Sequence, residues 1–226
     1  MTSEDDLTIE GSARGLERVR PPPPAEPSAR QTQKEATRNR VIVAARDLFD
    51  VQGYQGTTIR EIATHAGVSV GSVFTTFATK GEILSQVMQE RLDGLYAELD
   101  RVLPRLRGST ADRLRSMFAI HFAFEAQRVR LFLAHIAAAY DVNLSAAATP
   151  FGRNSRFQEI IRECLVKGVA DGDVHPAIDR QEVVDLLMSA YAWTFRLAVW
   201  DGADADAMTA VMDRQIGLIA TGFAPR

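Results

Sequence analysis

The chain has 226 residues, 46% of them hydrophobic, and a formal net charge of −3 at pH 7. This size and composition are ordinary for a globular protein of one or two domains, and no apolar stretch approaches the ~18 residues that a membrane-spanning helix needs. The N-terminus lacks the apolar segment of a secretory signal, and a single cysteine, Cys164, excludes an internal disulfide framework. We therefore expect a cytoplasmic protein without a membrane partner.

Residues 1–32 are acidic overall and include four consecutive prolines at positions 21–24. Because few large apolar side chains occur there, we expect a solvated, disordered tail. The arginines at positions 14, 18 and 20 allow a second interpretation, an arm that enters the minor groove of DNA. Their acidic neighbours favour the solvated tail.

The first helix is predicted from Gln33 to Gln52, with Gly53 ending it. Its apolar residues recur every three or four positions, as on the buried face of an amphipathic helix. Arg38 and Arg40, near its start, are candidate phosphate contacts. The apolar stripe consists of Val41, Ala44, Ala45, Leu48 and Phe49.

Two short helices joined by a tight turn are predicted within residues 57–80. Thr58 and Glu61 have the spacing of a capping box, which satisfies free amides at the start of the first helix. Gly67 can adopt the left-handed conformation that ends a helix, and Ser69 can cap the next one. Because the connection has only a few residues, the two helices are expected to cross steeply, as in a helix-turn-helix.

The second short helix is expected to point Val73 and Phe77 inward and to leave small polar residues outside. An outward face of hydroxyls suits a major groove, because hydroxyls can bond to bases or phosphates and a threonine methyl can touch the thymine methyl. Residues 30–81 also carry seven Lys or Arg and four acidic residues, a local charge of +3 that favours phosphate contact. The outward set is Gly71, Ser72, Thr75 and Thr76.

The run GYQGTTIREIATHAGVSVGSVFTTFATKGEIL, with TRNRVIVAARDLF before it, resembles the N-terminal DNA-binding domain of the TetR family of transcriptional regulators. About a quarter of the chain carries the resemblance. It implies a repressor that binds double-stranded operator DNA as a homodimer and is released by a small-molecule effector of unknown identity. An activator, or a regulator without a small ligand, is the alternative.

The resemblance also implies which residues contact DNA. Phe74 departs from the pattern, because the family usually has a tyrosine there, with its hydroxyl on a phosphate. No Lys or Arg lies between Ser69 and Thr79, so this helix lacks a side chain for bidentate recognition of guanine. The resemblance places Thr58, Ser69, Val70, Gly71, Thr75, Thr76 and Lys80 at DNA-contacting positions. Arg60, Ser72 and Phe74 complete the expected DNA-binding set.

Residues 67–71 also match G-x-S-x-G, the nucleophile elbow of serine hydrolases, which makes a hydrolase using Ser69 a remote alternative. Such an elbow must follow a strand, whereas residues 61–66 have the pattern of a helix. A helix cap is therefore the favoured role of Ser69. We expect neither enzymatic activity nor a cofactor.

A long helix is predicted to begin at a second capping box, Thr79 with Glu82, and to continue to Pro104. It would leave the helix-turn-helix domain, residues 33–81, and enter a second domain of effector binding and dimerisation, residues 82–226. In the family that the chain resembles, this helix would couple the effector to DNA.

Five further helices complete an all-α fold, in which an N-terminal three-helix domain with the helix-turn-helix precedes a larger helical domain. They are predicted at 110–128, 129–143, 151–171, 180–200 and 204–222. The helix at 180–200 is apolar on almost every side, so its outer face needs cover from a partner subunit. The resemblance implies a four-helix dimer interface, to which the last helix would contribute Met208, Val211, Met212, Ile216 and Ile219.

His121 and Glu125 lie one turn apart on the apolar stripe of the 110–128 helix, where buried polar groups need partners. They could pair with each other or with neighbours, or they could form the polar lining of an effector pocket. No tight ligand motif links His121, Glu125, His135 and Cys164, so no metal site is expected. The expected pocket residues are Met117, His121, Glu125, His135, Phe157, Ile161 and Cys164.

Overall fold

A computed structural model of the protein describes residues 28–140, 151–152 and 155–223. Within these ranges the regular structure is entirely helical, which confirms the predicted all-α class. The helices are α1 Ala29–Gly56, α2 Ile59–Ala66, α3 Val70–Thr76, α4 Lys80–Val102, α5 Thr110–Glu125, α6 Val129–Ala138, α7 Ser155–Asp171, α8 Arg180–Thr194, α9 Arg196–Trp200 and α10 Ala205–Phe223. Single 3-10 turns follow α4 and α5, at Leu103–Arg105 and Ala126–Arg128.

Helix α1 begins four residues before the predicted start, because Ser28 and Gln31 form a capping box that the sequence analysis missed. The predicted tail, apart from this segment, lies outside the described residues. Gly53, which was predicted to end the helix, leaves the helical conformation with φ of 77° and ψ of 165° but only interrupts it. One further turn follows it, so the helical segment ends at Gly56.

The helix-turn-helix forms through the predicted local signals. Thr58 and Glu61 cap α2 reciprocally, and Gly67 ends it in the left-handed conformation, with φ of 63°. The Ser69 hydroxyl accepts from the Ser72 amide at 3.0 Å and so begins α3. These bonds satisfy free amides and carbonyls between the two helices, which fixes their crossing.

The start of α4 differs from the predicted capping box. Thr79 accepts from the Glu82 amide at 3.1 Å, but the Glu82 carboxylate accepts from the amide of Ala78 at 2.8 Å. The reciprocal bond to Thr79 is therefore replaced by one to the preceding residue. Helix α4 then extends for 23 residues and contacts α1, α5 and α6.

Two predicted helices are interrupted in the second domain. The predicted 180–200 helix divides at Phe195, which is completely buried, and α9 continues beyond it. The predicted 129–143 helix ends as α6 at Ala138, and its last three predicted positions lie outside the described residues. Tyr191 lies at the centre of the domain, with ring centroids 5.0–5.8 Å from its own. The surrounding rings are those of Phe118, His121, Phe122, Phe132, Phe157 and Phe195.

Helix α10 packs against α5 and α8 of its own chain. Met208, Met212 and Ile216 are completely buried in this packing. Their predicted role in a dimer interface is therefore wrong, because a partner subunit cannot reach them. Val211 and Ile219 are half-buried, whereas Leu218 on the same helix is 73% exposed.

Helix α7 approaches the start of α5 so closely that only a glycine fits at position 168. A β-carbon there would lie 2.1 Å from Thr110 Oγ1 and 2.5 Å from a methyl of Val174. Thr110 cannot withdraw easily, because its amide and hydroxyl both donate to the Asp173 carboxylate, at 2.5 and 2.7 Å.

Gly168→Ala is therefore expected to lower the free energy of unfolding by about 3 kcal/mol, near the upper end for overpacking. Gly94→Ala is the matched control, since Gly94 is an exposed helical glycine with no atom within 4 Å of the added carbon. It should stabilise the protein by about 0.5–1 kcal/mol. Urea unfolding measures both changes, and equal stability of the two variants would contradict the close packing.

Candidate DNA-binding surface and effector cavity

Helix α3 presents one polar face to solvent. Val73 and Phe77 anchor it, at 0% and 4% exposure, whereas Phe74 and Thr75 are exposed. Of the ten residues predicted to contact DNA, seven are exposed and three are half-buried, the three being Ser72, Thr76 and Lys80. The face available to a groove is thus the one predicted from the sequence.

The hydroxyls of this face make local bonds in the free protein. Thr75 donates to the Gly71 carbonyl at 2.8 Å, and Thr76 donates to that of Ser72 at 3.0 Å. Their oxygens keep lone pairs, which can accept from the exposed amino groups of adenine or cytosine.

Ser69 follows a helix rather than a strand, and its hydroxyl lies 2.8 Å from that of Ser72. The strand-turn-helix geometry of a nucleophile elbow is therefore missing. Ser69 is a helix cap, as the sequence favoured.

The start of α1 lies beside α3, an arrangement that the sequence analysis missed because it began the helix at residue 33. A groove between the two helices is lined by Arg30, Lys34 and Thr37 of α1 and by hydroxyl-bearing residues of α3. Arg30 and Lys34 are both exposed, one helical turn apart, so phosphates bound over α3 would lie within reach of positive charge. Correct placement of the Ser28 cap would have identified this extension.

Arg38, a candidate phosphate contact, has a structural role. Its guanidinium donates to the Gln86 side chain and stands 4.9 Å from the centre of the Phe77 ring. It therefore joins α1 to α4 and to the end of α3. Arg40 is exposed and remains a candidate.

Lys80 also has a structural role that its sequence position does not reveal. Its ammonium donates to the carbonyls of Tyr54 and Thr57, at 2.7 and 2.8 Å, and lies 4.3 Å from the centre of the Tyr54 ring. Desolvation by these neighbours lowers the pKa of Lys80 below its ordinary value. One N–H remains for the predicted phosphate contact.

Arg60 and Lys80 are therefore expected to respond differently to substitution. Arg60 is exposed, so Arg60→Ala should lower the slope of log affinity against log salt by about 1 per subunit without changing the thermal midpoint. Lys80→Met should lower the free energy of unfolding by about 1–3 kcal/mol, because two carbonyls lose their donor. Fluorescence anisotropy with operator DNA and thermal unfolding measure the two effects. A Lys80→Met protein of unchanged stability would refute the structural role.

The second domain contains a partly open cavity of about 20 Å³, enough for one water molecule. Four predicted pocket residues, His121, Glu125, His135 and Phe157, line it. The rest of the lining comprises Leu92, Tyr96, Phe132, Phe151, Gly152, Met188 and Tyr191. These seven were not predicted, because they come from several separate segments of the chain that no sequence pattern links.

Three other predicted pocket residues are not part of this lining. Met117 and Ile161 are buried in the core. Cys164 lies near the start of α5, with its sulfur 4.0 Å from the Thr110 carbonyl oxygen, and burial raises the pKa of its thiol. Helical periodicity placed all three correctly in the interior but not beside the cavity.

Four polar atoms of the lining have no hydrogen-bond partner among the residues that the structure describes. They are His121 Nε2, Glu125 Oε1, His135 Nδ1 and the Tyr191 hydroxyl. An orphaned buried polar group costs about 1–3 kcal/mol, so four in one lining indicate a place for a ligand or water. Three of these side chains were among the predicted pocket residues, and Tyr191 was not.

Burial controls the protonation of the cavity. Desolvation lowers the pKa of His121 to about 3 and that of His135 to about 4, so both imidazoles are neutral at pH 7. Desolvation also raises the pKa of Glu125 to about 7, against the opposing effect of Arg91. The Tyr191 pKa is raised far above its usual value by burial, so its hydroxyl keeps its proton.

The sequence allowed Glu125 to pair either with His121 or with another neighbour. The structure shows the second pairing, with Arg91. Glu125 Oε2 accepts from Arg91 of α4 at 3.3 Å, and Arg91 also donates to the Phe124 carbonyl at 2.6 Å. His121 instead stacks on Phe157, with ring centroids 3.6 Å apart. The Glu125 carboxylate thus has one oxygen bonded to Arg91 of α4. Its other oxygen, in the cavity lining, has no partner among the described residues.

Ion pairs continue from this point towards the helix-turn-helix. Glu90, next to Arg91, accepts from Arg46 of α1 at 2.7 Å. Asp50 of α1 pairs with Arg128, which follows α5. Helix α4 is therefore bonded to α1 on one side and to the cavity lining on the other.

Within the described ranges, no three His, Cys, Asp or Glu side chains are grouped so that they could hold a metal ion. The same part of the chain contains no helix with the length and hydropathy needed to cross a membrane.

Known transcriptional regulators resemble this chain in sequence. The sequence model of "Bacterial regulatory proteins, tetR family" matches residues 41–87, which contain the helix-turn-helix. The HTH-type transcriptional repressor KstR2 of Mycolicibacterium smegmatis is 26% identical over 160 residues, covering 70% of this chain and 74% of that protein.

Two solved structures share the fold. Thermus thermophilus FadR, a TetR-family transcriptional repressor in complex with lauroyl-CoA, has a TM-score of 0.66 and 24% identity, covering 84% of this chain and 96% of its own. RolR in complex with resorcinol has a TM-score of 0.60 and 21% identity, covering 86% and 98%. Residues 41–87 therefore match the DNA-binding domain of the TetR family, and the chain shares the fold of TetR-family transcriptional regulators.

Proposed function

We propose that this protein is a transcriptional repressor that binds operator DNA as a homodimer and is released by a small molecule bound in the cavity of the second domain. The observation that carries the proposal is the exposed polar face of α3, anchored by the buried Val73 and flanked by the positive start of α1. A helix of this kind can enter the major groove while neighbouring cations hold the phosphates.

The dimer is supported by apolar side chains left exposed on α8, α9 and α10. Leu186, Trp193 and Trp200 are 52%, 57% and 67% exposed, and Leu218 of α10 is 73% exposed. The Trp193 and Trp200 rings meet edge to face at 6.0 Å. The Thr194 hydroxyl lies 3.3 Å from Gln215 Oε1, which aligns α8 with α10, so a second copy could cover both helices as one surface.

Release would be transmitted through α4. A ligand that donates a hydrogen bond to Glu125 Oε1 would change the strength of the bond between Glu125 Oε2 and Arg91 of α4. Helix α4 begins immediately after the helix-turn-helix, so it can pass on the change. A small displacement of α4 would change the separation of the two recognition helices in the dimer. Because both must fit half-sites about one DNA turn, roughly 34 Å, apart, affinity for the operator would fall.

The test is to select bound sequences from random DNA with the purified full chain, and then to measure affinity for the selected sequence by fluorescence anisotropy. We expect a site with two related half-sites whose centres are about one helical turn apart. Deleting one half-site should reduce affinity at least about 100-fold, because the second contact is then lost. Equal binding to all DNA sequences would refute the proposal.

A further inference from the structure

We infer that the effector is a small, uncharged, planar molecule with at least two hydroxyl groups. The inference deepens the proposed function and depends on it for the role of the cavity. The four polar atoms without partners belong to α5, α6 and α8, which form different parts of the cavity wall. A ligand that satisfied several of them would need hydrogen-bonding groups at more than one point of its edge.

The shape of the lining favours a flat molecule. Seven of the eleven lining residues have rings, and the His121 and Phe157 rings are already stacked at an interplanar angle of 27°. Aromatic side chains offer flat faces and positive edges, against which another ring can stack or stand edge-on. The present space of about 20 Å³ holds no ring, so the ligand must displace some of these side chains. That requirement favours a small molecule over a long chain.

The charge of the lining favours a neutral molecule. None of the described lining residues is Lys or Arg. Arg91, behind the lining, is already bonded to Glu125 and to the Phe124 carbonyl. An anion would therefore approach the Glu125 carboxylate without a free cation, whereas an organic cation would approach a carboxylate that Arg91 already balances. A hydroxyl can donate to Glu125 Oε1 without adding charge.

Hydroxyl groups also match the remaining atoms. A neutral imidazole nitrogen either accepts or donates, according to its tautomer, and the Tyr191 hydroxyl can do both. Hydroxyl groups have the same dual capacity, so one diol can satisfy Glu125 together with His121, His135 or Tyr191. An ether or a hydrocarbon of the same shape would leave the carboxylate oxygen without a donor.

Isothermal titration calorimetry of the full chain without DNA tests the class. The probes are catechol, resorcinol and hydroquinone, with dimethoxybenzene as a matched ring without donors. Benzoate, benzyltrimethylammonium and lauroyl-CoA represent the charged and long-chain classes. We expect at least one diol to bind at least about 10-fold more tightly than every other probe, since loss of one or two buried hydrogen bonds accounts for such a ratio. Tighter binding of any charged or donor-free probe, or no binding of the diols, would overturn the inference.

Tyr191→Phe separates binding from folding. It removes only a hydroxyl that has no partner among the described residues, so the free protein should be as stable as the wild type or more so. Its affinity for the best diol should fall about 10-fold. Tyr140→Phe is the control, since Tyr140 is 83% exposed and does not line the cavity. Equal diol affinity of the two variants would contradict the contact with Tyr191.

These outcomes are distinguishable from a failure of the proposed function. Calorimetry reports ligand binding in the absence of DNA, whereas selection of DNA sequences reports operator recognition in the absence of ligand. A protein that selects a two-half-site operator but binds no diol retains the DNA-binding function and refutes the ligand class. A protein that binds a diol but selects no sequence supports the ligand class and refutes the repressor.

Discussion

Trp193→Asp is expected to convert the dimer into a monomer and to reduce operator affinity at least about 100-fold. Trp193 is 57% exposed in the single chain and stacks edge to face on Trp200. In a dimer covered by a second copy, an aspartate there would replace a large apolar contact by a desolvated charge. Arg196, which lies 4.7 Å from the centre of the Trp193 ring, could pair with it, but the cost of desolvating both charges can exceed that gain. A monomer can occupy one half-site only, and the advantage of linked sites, commonly 10²–10⁴, is lost.

Sedimentation velocity at micromolar concentration measures the assembly, and anisotropy with the selected operator measures affinity. A second pair of variants compares two faces of the chain at equal exposure, because Leu186 of α8 and Val166 of α7 are both 52% exposed. Leu186→Asp should weaken the dimer, whereas its matched control Val166→Asp should leave the dimer intact. A dimeric Trp193→Asp protein with full operator affinity would show that another face joins the subunits.

Local signals explain why the DNA-binding part was largely predictable. The caps at Thr58 and Ser69 and the turn at Gly67 involve residues within five positions of each other, so their spacing in the sequence determines the bonds. Lys80 is different, because its acceptors lie 23 and 26 residues earlier. No sequence pattern places an ammonium on carbonyls that only the tertiary fold brings near.

The second domain was predictable in its helices but not in their neighbours. Met208 was expected in a dimer interface and Cys164 in the effector pocket, but both are buried in the core of their own chain. Periodicity identifies an apolar face. It cannot tell whether a buried face meets the same chain, a partner or a cavity. For the same reason the sequence predicted that Glu125 needs a partner but did not identify it. The partner, Arg91, lies 34 residues away on another helix.

The ion pair between Arg91 and Glu125 is expected to have a large effect on stability at alkaline pH. Arg91→Met should lower the free energy of unfolding at pH 8 by about 3–5 kcal/mol, because it leaves the Glu125 carboxylate buried without a cation. Adding Glu125→Leu should recover most of the loss, since no lone charge then remains. Arg46→Met is the control: it breaks a pair whose side chains are 34% and 39% exposed, and should cost about 1 kcal/mol or less.

The loss in Arg91→Met should depend on pH in a direction fixed by Glu125. Burial raises its pKa from 4.5 to about 7, so the folded state binds a proton more tightly than the unfolded state does. The stability gained from this proton is complete below pH 4.5 and is lost as pH rises through 7. Near pH 5 the carboxyl is protonated in both folded proteins, and removing Arg91 should then cost only its bond to the Phe124 carbonyl, about 1–3 kcal/mol.

His121 and His135 change stability in the opposite sense. Burial lowers their pKa values to about 3 and about 4, so the folded state resists protonation and stability falls as pH drops below 6.5. Both proteins carry these histidines, so the difference between wild type and Arg91→Met at each pH isolates Glu125. Urea unfolding at pH 5 and pH 8 measures it. A difference that is the same at both values would show that Arg91 stabilises the fold through packing and its bond to the Phe124 carbonyl, rather than by balancing the buried carboxylate.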